Sequence, residues 1–306
     1  CMPIEKFPSN FNFMPREEIL SFEEIEQIVK AFAGLGVTKV RLTGGEPLLR
    51  KDLPLLIEKL SNISGICDLA LTTNGDLLKD QAQKLKDFGL KRITVSLDSI
   101  DKDIFLKMNG NFSTPKKIMA GIERAVKVGL HTKINMVAHK NINESQILPI
   151  AHYGNDLGIE ARFIEFMDVG NQNRWNWKKV VTKEEILEIL SADFLFTPLN
   201  PKNKSDVAKI YQSTNKKLIV GLISSITEPF CSNCSRARLT ADGKLFTCLF
   251  GKNGFDIKGH IRGKNNNLNL SQLIQEIWLK RNDKYSMQRK QLAHQTTKAE
   301  MHYIGG

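Results

Sequence analysis

Between residues 22 and 167 the chain switches repeatedly between two hydrophobic periods, and no other feature restricts its fold as strongly. TKVRLT (38–43), DLALTT (68–73), KRITVSL (91–97), TKINMVA (132–138) and EARFIEFM (160–167) are short and rich in β-formers, as buried strands are. Helix-period stretches separate them at 53–63, 79–88, 115–129 and 143–157, and another precedes them at 22–34. Ser21 and Glu24 predict a capping box opening that first helix, with Gly34 and Gly36 to stop it. Alternating β and α elements imply parallel strands, right-handed crossovers and helices on the outside. Five such units fit an open doubly wound sheet, or a full or partial β/α barrel. No G-x-G-x-x-G follows a strand, which weakens the dinucleotide-binding version. Polar residues and glycines gather at the carboxyl ends of the strands, the end that carries the chemistry of a barrel.

After about residue 170 the alternation stops, which divides the chain into regions 1–170 and 171–306. Thr182 and Glu185 predict a capped helix through 190. Residues 200–216 are rich in Lys and Asn and read as a loop or hairpin edge, and 270–281 as an amphipathic helix. With 306 residues and 41% apolar content the chain can bury a sizeable core. A net charge of +11 points to a polyanionic partner: nucleic acid, an acidic membrane surface or a phosphate-rich small molecule. No apolar run is long enough to span a membrane, and the amino terminus shows no signal peptide. Five cysteines, an odd number, favour metal or redox use in a reducing compartment, hence a cytoplasmic location. The chain begins with Cys1 rather than Met and is expected to belong to something longer.

Three of the cysteines, Cys231, Cys234 and Cys248, are spaced C-x2-C-x13-C around an ADGK turn that would return the third sulfur to the first two. Thiolates bind zinc or iron–sulfur clusters. A structural zinc site wants a fourth ligand, and neither His260 nor Cys1 has convincing spacing. A cubane held by three cysteines would keep one iron open for a small molecule. In RLTGGEPLLR (41–50) a strand runs into Gly44-Gly45, where backbone can approach a ligand closely. Thr72, Asn74, Ser96, Lys133 and Asn135 stand at or near later strand ends and could share one rim. Arg236 and Arg238 alternate in SRARL (235–239), so on a strand both face one way, suited to gripping phosphate. Each is an ordinary turn former or solvated charge when taken alone. Their joint placement is what points to a site.

Gly44-Gly45-Glu46-Pro47 after a strand resembles the motif of radical S-adenosylmethionine enzymes. The C-x2-C-x13-C segment, Arg236, Arg238 and the terminal Gly-Gly narrow the resemblance to the GTP 3',8-cyclases of molybdenum cofactor biosynthesis. It runs essentially from Cys1 to Gly306, including RFIEFMDVGNQN (162–173) and HYIGG (302–306). The resemblance implies an α/β fold, a partial (βα)6 TIM-like barrel over 1–170 whose first strand is missing from this chain. Residues 171–306 would form a C-terminal iron–sulfur-binding extension. It implies two [4Fe–4S] clusters: the first on a C-x3-C-x2-C motif of which Cys1 alone is present here, the second on Cys231, Cys234 and Cys248. Gly45, Ser96 and Met167 would bind S-adenosylmethionine; Arg41, Thr72, Lys133, Arg236 and Arg238 would bind GTP; Gly305 and Gly306 would reach back into the active site.

The implied reaction takes a hydrogen from C3' of the GTP ribose with a 5'-deoxyadenosyl radical and closes the ring at C8. It needs an electron donor and hands its product to cyclic pyranopterin monophosphate synthase. A homodimer is one assembly the resemblance allows, and neither a membrane nor a nucleic acid is an expected partner. The rival reading is a zinc-bearing, basic nucleic-acid-binding protein, which leaves the Gly-Gly-Glu-Pro turn unexplained.

Overall fold

The structure, a computed structural model, describes residues 14–110, 113–171, 173–201, 203–215, 217–263, 268–292 and 298–305. Helix α1 (Phe22–Gly34) opens on the capping box: Ser21 accepts from the Glu24 N–H, and the Glu24 carboxylate accepts from the Ser21 N–H. There follow β1 (Lys39–Leu42), α2 (Leu53–Ser61), β2 (Asp68–Thr73), α3 (Leu78–Asp87), β3 (Arg92–Ser96), α4 (Lys102–Asn109), α5 (Pro115–Lys127), β4 (His131–Ala138), α6 (Ile147–Leu157) and β5 (Glu160–Glu165). Beyond residue 170 come α7 (Lys183–Leu190), β6 (Phe196–Leu199), β7 (Lys209–Ser213) and β8 (Ile219–Ile223). A hairpin region holds β9 (Arg238–Leu239), β10 (Lys244–Phe246) and β11 (Phe255–Asp256), and the chain continues through α8 (Ile257–Arg262), α9 (Leu270–Leu279), α10 (Tyr285–Leu292) and α11 (Met301–Ile304).

Among the described residues the main sheet runs β1-β2-β3-β4-β5-β8-β7-β6. Strands β1 to β5 and β8 are parallel, and β7 and β6 continue the sheet antiparallel. This is an α/β sheet of the partial-barrel type, with helices on its outer face. The sequence reading ended its strands at 167, whereas Ile219–Ile223 adds a further parallel strand beside β5. Its signal, the apolar run LIVGLI, was present but lacked a helical stretch directly before it.

Period-2 alternation decides what each strand shows to either side. On β4, Thr132, Ile134, Met136 and Ala138 are buried beneath the helices, and Lys133, Asn135 and Val137 are half-buried on the other face. Strand β5 does the same, burying Ala161 and Phe163 and turning Glu160, Arg162 and Ile164 inward. A large apolar core therefore fills the space between sheet and helices. A second, smaller core joins Leu20 and Ile28 of the α1 region to Leu245, Ile257, Ile274 and Ile277, and so fastens the cysteine-bearing hairpin and α9 to the start of the barrel. Among the described residues no helix is long and apolar enough to cross a membrane.

Candidate functional site

Register sorts the inward-facing side chains by height. One level pairs Thr72, Thr94, Lys133 and Glu160 across β2 to β5; the next pairs Ser96, Asn135, Arg162 and Gly221. Below them Arg41 stands level with Ala70, and Ala70 with Arg92. The lower levels are ionic. Arg92 grips Asp68 with two bonds, Nε to Oδ1 at 2.6 Å and Nη2 to Oδ2 at 2.7 Å. Glu160 pairs with both Lys133 and Arg162, the latter at 2.5 Å. Arg41 Nη1 donates to Thr72 Oγ1 at 2.9 Å. Gly221 is where Arg162 finds room: a Cβ there would come within 3.0 Å of Arg162 Cγ and 3.1 Å of Glu160 Oε1.

The cations are crowded enough to disfavour their own charge. Enclosure by the protein, then repulsion from Arg92, Arg162 and Arg236, brings Arg41 down to about 10, although solvent reaches its side chain. Burial and Arg162 likewise depress Lys133, with Glu160 opposing them. Burial would raise Glu160, but Arg162 and Lys133 outweigh it and hold the carboxylate below its ordinary value. Arg41 also feels the Arg236 guanidinium, so the segment after the cysteine pair lies within electrostatic reach of the barrel wall. Burial and Arg236 also bring Arg238 to about 10. Six cations (Arg41, Arg92, Lys133, Arg162, Arg236, Arg238) and two carboxylates (Asp68, Glu160) thus leave four positive charges among these groups.

The upper rim is different. At the end of β1 the chain turns through Thr43-Gly44-Gly45, with Gly45 exposed. Glu46 is a brace for this turn: its carboxylate accepts from the Thr73 hydroxyl at 2.7 Å, the Asn74 N–H at 2.7 Å and the Leu48 N–H at 3.0 Å. It ties the ends of β1 and β2 together and leaves the glycine backbone free to face a ligand. Ser96 ends β3 and Asp98 follows it; Asp98 accepts from the Val137 N–H, and burial raises its pKa. After β5, Met167 sits in a loop pinned by Asn173, which donates to its carbonyl at 2.8 Å, and by Trp175, which donates to the Phe166 carbonyl at 2.7 Å.

The cysteine segment closes the chamber. Cys231 and Cys234 flank a single tight turn, and the β9–β10 hairpin returns the chain to Cys248. Burial works against a thiolate at Cys234, but the Arg236 and Arg281 guanidiniums overcome it and bring the thiol to about 7. Arg236 Nη2 lies 3.5 Å from Cys234 Sγ, and Arg281 donates to the Cys234 carbonyl at 2.5 Å. Burial pushes Cys248 up, and it also senses the charge of Cys231. Arg238 feels the charges of both Cys234 and Cys248. Among the described residues no three His, Cys, Asp or Glu side chains close on a single point, as they would around one tetrahedral ion. Three sulfur donors with adjacent guanidiniums suit an iron–sulfur cluster. Across the chamber, Tyr303 of α11 donates to Asp242 at 2.8 Å, and Gly305 lies against the Gly44 turn. A Cβ on Gly305 would come within 2.7 Å of Thr43 Cγ2, so the approach requires glycine.

Two family models cover most of the chain: Radical SAM superfamily over residues 1–154 and Molybdenum Cofactor Synthesis C over 159–287. The GTP 3',8-cyclases of Staphylococcus aureus strains JH9 and Newman are 46% identical to it over 310 residues, across all of this chain and 91% of the relative. The chain belongs to the GTP 3',8-cyclase family. Among solved structures, Streptococcus suis SuiB bound to S-adenosylmethionine is similar with a TM-score of 0.58 at 14% identity, over 88% of this chain. The chain spans 60% of that structure's length, and the likeness is one of fold.

For this member of the cyclase family, the structure brings Arg41, Thr72, Lys133, Arg236 and Arg238 to the ionic chamber, and Gly45, Ser96 and Met167 to its upper rim. Cys1 and Gly306 lie outside the described residues. Sequence reasoning passed over Asp68, Arg92, Glu160 and Arg162. Their signal was period-2 spacing: Glu160 and Arg162 alternate with the buried Ala161 and Phe163, which marks them as one inward face.

Proposed function

We propose that the chain converts GTP to (8S)-3',8-cyclo-7,8-dihydroguanosine 5'-triphosphate, the first step of molybdenum cofactor biosynthesis. One observation carries the reading: the chamber's four uncompensated positive charges match the about four negative charges of a nucleoside triphosphate. Arg41, Thr72, Lys133, Arg236 and Arg238 bind GTP, the cations at the phosphates, and Arg162 joins them from β5. Occupancy relieves the mutual repulsion of these groups, so binding also stabilises the fold. Gly45 offers backbone to the methionyl end of S-adenosylmethionine, and Ser96 and Met167 line the rest of that cofactor.

Cys231, Cys234 and Cys248 would hold the second [4Fe–4S] cluster. Cys1 belongs to the first, and an electron donor must reduce that one. With S-adenosylmethionine bound, the first cluster would supply the one-electron reduction from which the radical chemistry starts. The protein's own task is to fix the ribose between rim and chamber floor and keep water away, with Gly305 and Gly306 covering the mouth. Residues 1–170 then serve as the radical core and 171–306 as an extension that closes it; the outer edge of β1, unpaired among the described residues, fits the further strand of the family barrel. Cyclic pyranopterin monophosphate synthase receives the product.

The test is anaerobic reconstitution with iron and sulfide, then incubation with GTP, S-adenosylmethionine and a reductant. Formation of the cyclised triphosphate, with the C3' hydrogen recovered in 5'-deoxyadenosine, supports the reading. A protein that takes up zinc alone and leaves GTP unchanged would refute it.

A further inference from the structure

Asp168 follows Met167 directly, and three side chains from two separate segments meet on its carboxylate. From α10, the Tyr285 hydroxyl donates to it at 2.6 Å and Arg289 Nε at 2.8 Å. From the segment leading to the tail, Lys298 Nζ donates to the carboxylate at 2.8 Å and to the Asp168 carbonyl at 2.7 Å. The three charged side chains are 4–7% exposed, so the node is dry and its carboxylate is enclosed by protein donors. Burial alone would raise Asp168, but Lys298, Tyr285 and Arg289 outweigh it and hold the carboxyl below its ordinary value.

The same groups form a stack that reaches the cysteine hairpin. Phe250 lies face to face on Tyr285 with centroids 4.4 Å apart, and Lys298 sits 4.5 Å over the Tyr285 ring. The Phe250 N–H points to Cys248 Sγ at 3.5 Å, and the Ala299 N–H donates to the Gly251 carbonyl at 3.0 Å. The loop after Asp168 grips the tail a second time. Asn171 accepts from the Lys298 N–H at 3.0 Å, donates to the Lys298 carbonyl at 2.6 Å, and its own N–H donates to Glu300 at 3.0 Å. Beyond Glu300 the chain has just α11 to cross before Gly305 meets the Gly44 turn.

We infer that Asp168 is a positioning residue: by holding Lys298 and Arg289 it seats the Gly305 end of the chain against the Gly44 turn, and it ties that seating to the Cys248 and Met167 loops. Asp168 acts through the tail, since its carboxylate is already saturated by protein donors. What the seated tail is for rests on the proposed function; whether it is seated does not.

Asp168→Asn keeps the shape and removes the charge, and Lys298→Met removes the ammonium and leaves Asp168 its Arg289 and Tyr285 partners. Backbone hydrogen exchange over 298–305 in the cofactor-free chain reads the seating without any turnover. Both variants should exchange there about tenfold faster or more, with α2 and α5 unchanged. In the reconstituted protein with the whole C-x3-C-x2-C motif present, kcat for cyclised product should fall about tenfold, with KM for GTP within about threefold and iron content equal to that of the unsubstituted protein. Unchanged exchange over 298–305 overturns the inference. Faster exchange at full kcat also overturns it, and so does iron lost in step with rate, which would make Asp168 a support for the cysteine hairpin. Should Asp168→Asn fail to fold, Lys298→Met decides by the same readings. An unsubstituted protein with the whole motif present that loads iron yet forms no cyclised product counts against the proposed function instead, and exchange then decides the inference alone.

Discussion

Glu160→Gln should move two measurements in opposite directions. Glu160 is 11% exposed and pairs with Lys133 and Arg162 on the chamber wall. Glutamine keeps the shape and one acceptor but removes the charge, leaving two cations uncompensated. Breaking a buried pair by removing one partner costs about 3–5 kcal/mol. Chamber solvent and the remaining hydrogen bond reduce that to about 2 kcal/mol. For a chain of this size that lowers Tm of the ligand-free protein by about 3 °C. GTP binding should instead tighten. At about 8 Å and an effective dielectric constant of about 20, a carboxylate repels each unit of phosphate charge by about 2 kcal/mol before screening. Allowing for ions and the ligand's own counter-charge, a net gain of about 1 kcal/mol, or about fivefold in Kd, is expected. Thermal unfolding without ligand and calorimetric titration with GTP at low and high salt read the two effects. A fivefold loss of GTP affinity would refute the reasoning, because it would make Glu160 a ligand-binding acceptor and put the phosphates elsewhere. An unchanged Tm would mean the ion pairs do not form.

Other tests bear on neighbouring groups. Arg236→Ala should weaken GTP binding by about 1–3 kcal/mol and leave S-adenosylmethionine nearly unaffected, as calorimetry with each ligand would show; equal losses would remove Arg236 from the phosphate side. Cys248→Ser should cost the reconstituted, complete protein about half its iron, and unchanged iron content would overturn its assignment as a ligand. In the cluster-free chain, Cys234 at about 7 should be alkylated by iodoacetamide with a rate that rises as pH passes through 7, while Cys248, pushed up by burial, reacts at higher pH. Peptide mass spectrometry across pH checks the order, and Cys248 reacting first would contradict the placement of Arg236 and Arg281.

Legibility in the sequence followed how local each signal was. The capping boxes at Ser21 and Thr182, the strands at 68–73 and 132–138 and the helix at 115–129 rest on neighbours within a few positions; all stand in the structure, the helix ending two residues earlier at Lys127 and the second strand starting at His131. Helix α4 and strand β8 went unread. The first has a short apolar face in a polar stretch, and the second takes its role from pairing with β5, 59 residues earlier, Ala161 with Val220 and Arg162 with Gly221. Glu46 looked like part of a ligand motif and is a brace, because its partners Thr73 and Asn74 come from another strand.

What the amino-acid order settled by itself was therefore chemical inventory and local conformation: which turns are glycine, which spacing the thiols have, where period 2 gives way to period 3.6. Which charges compensate one another was decided only in three dimensions. Asp68 with Arg92, Glu160 with Lys133, and Asp168 with Arg289 and Lys298 are pairings across 24 to 130 residues of chain. A charge's cost depends on what surrounds it, and sheet register and helix packing set those surroundings. A single strand's sequence contains neither.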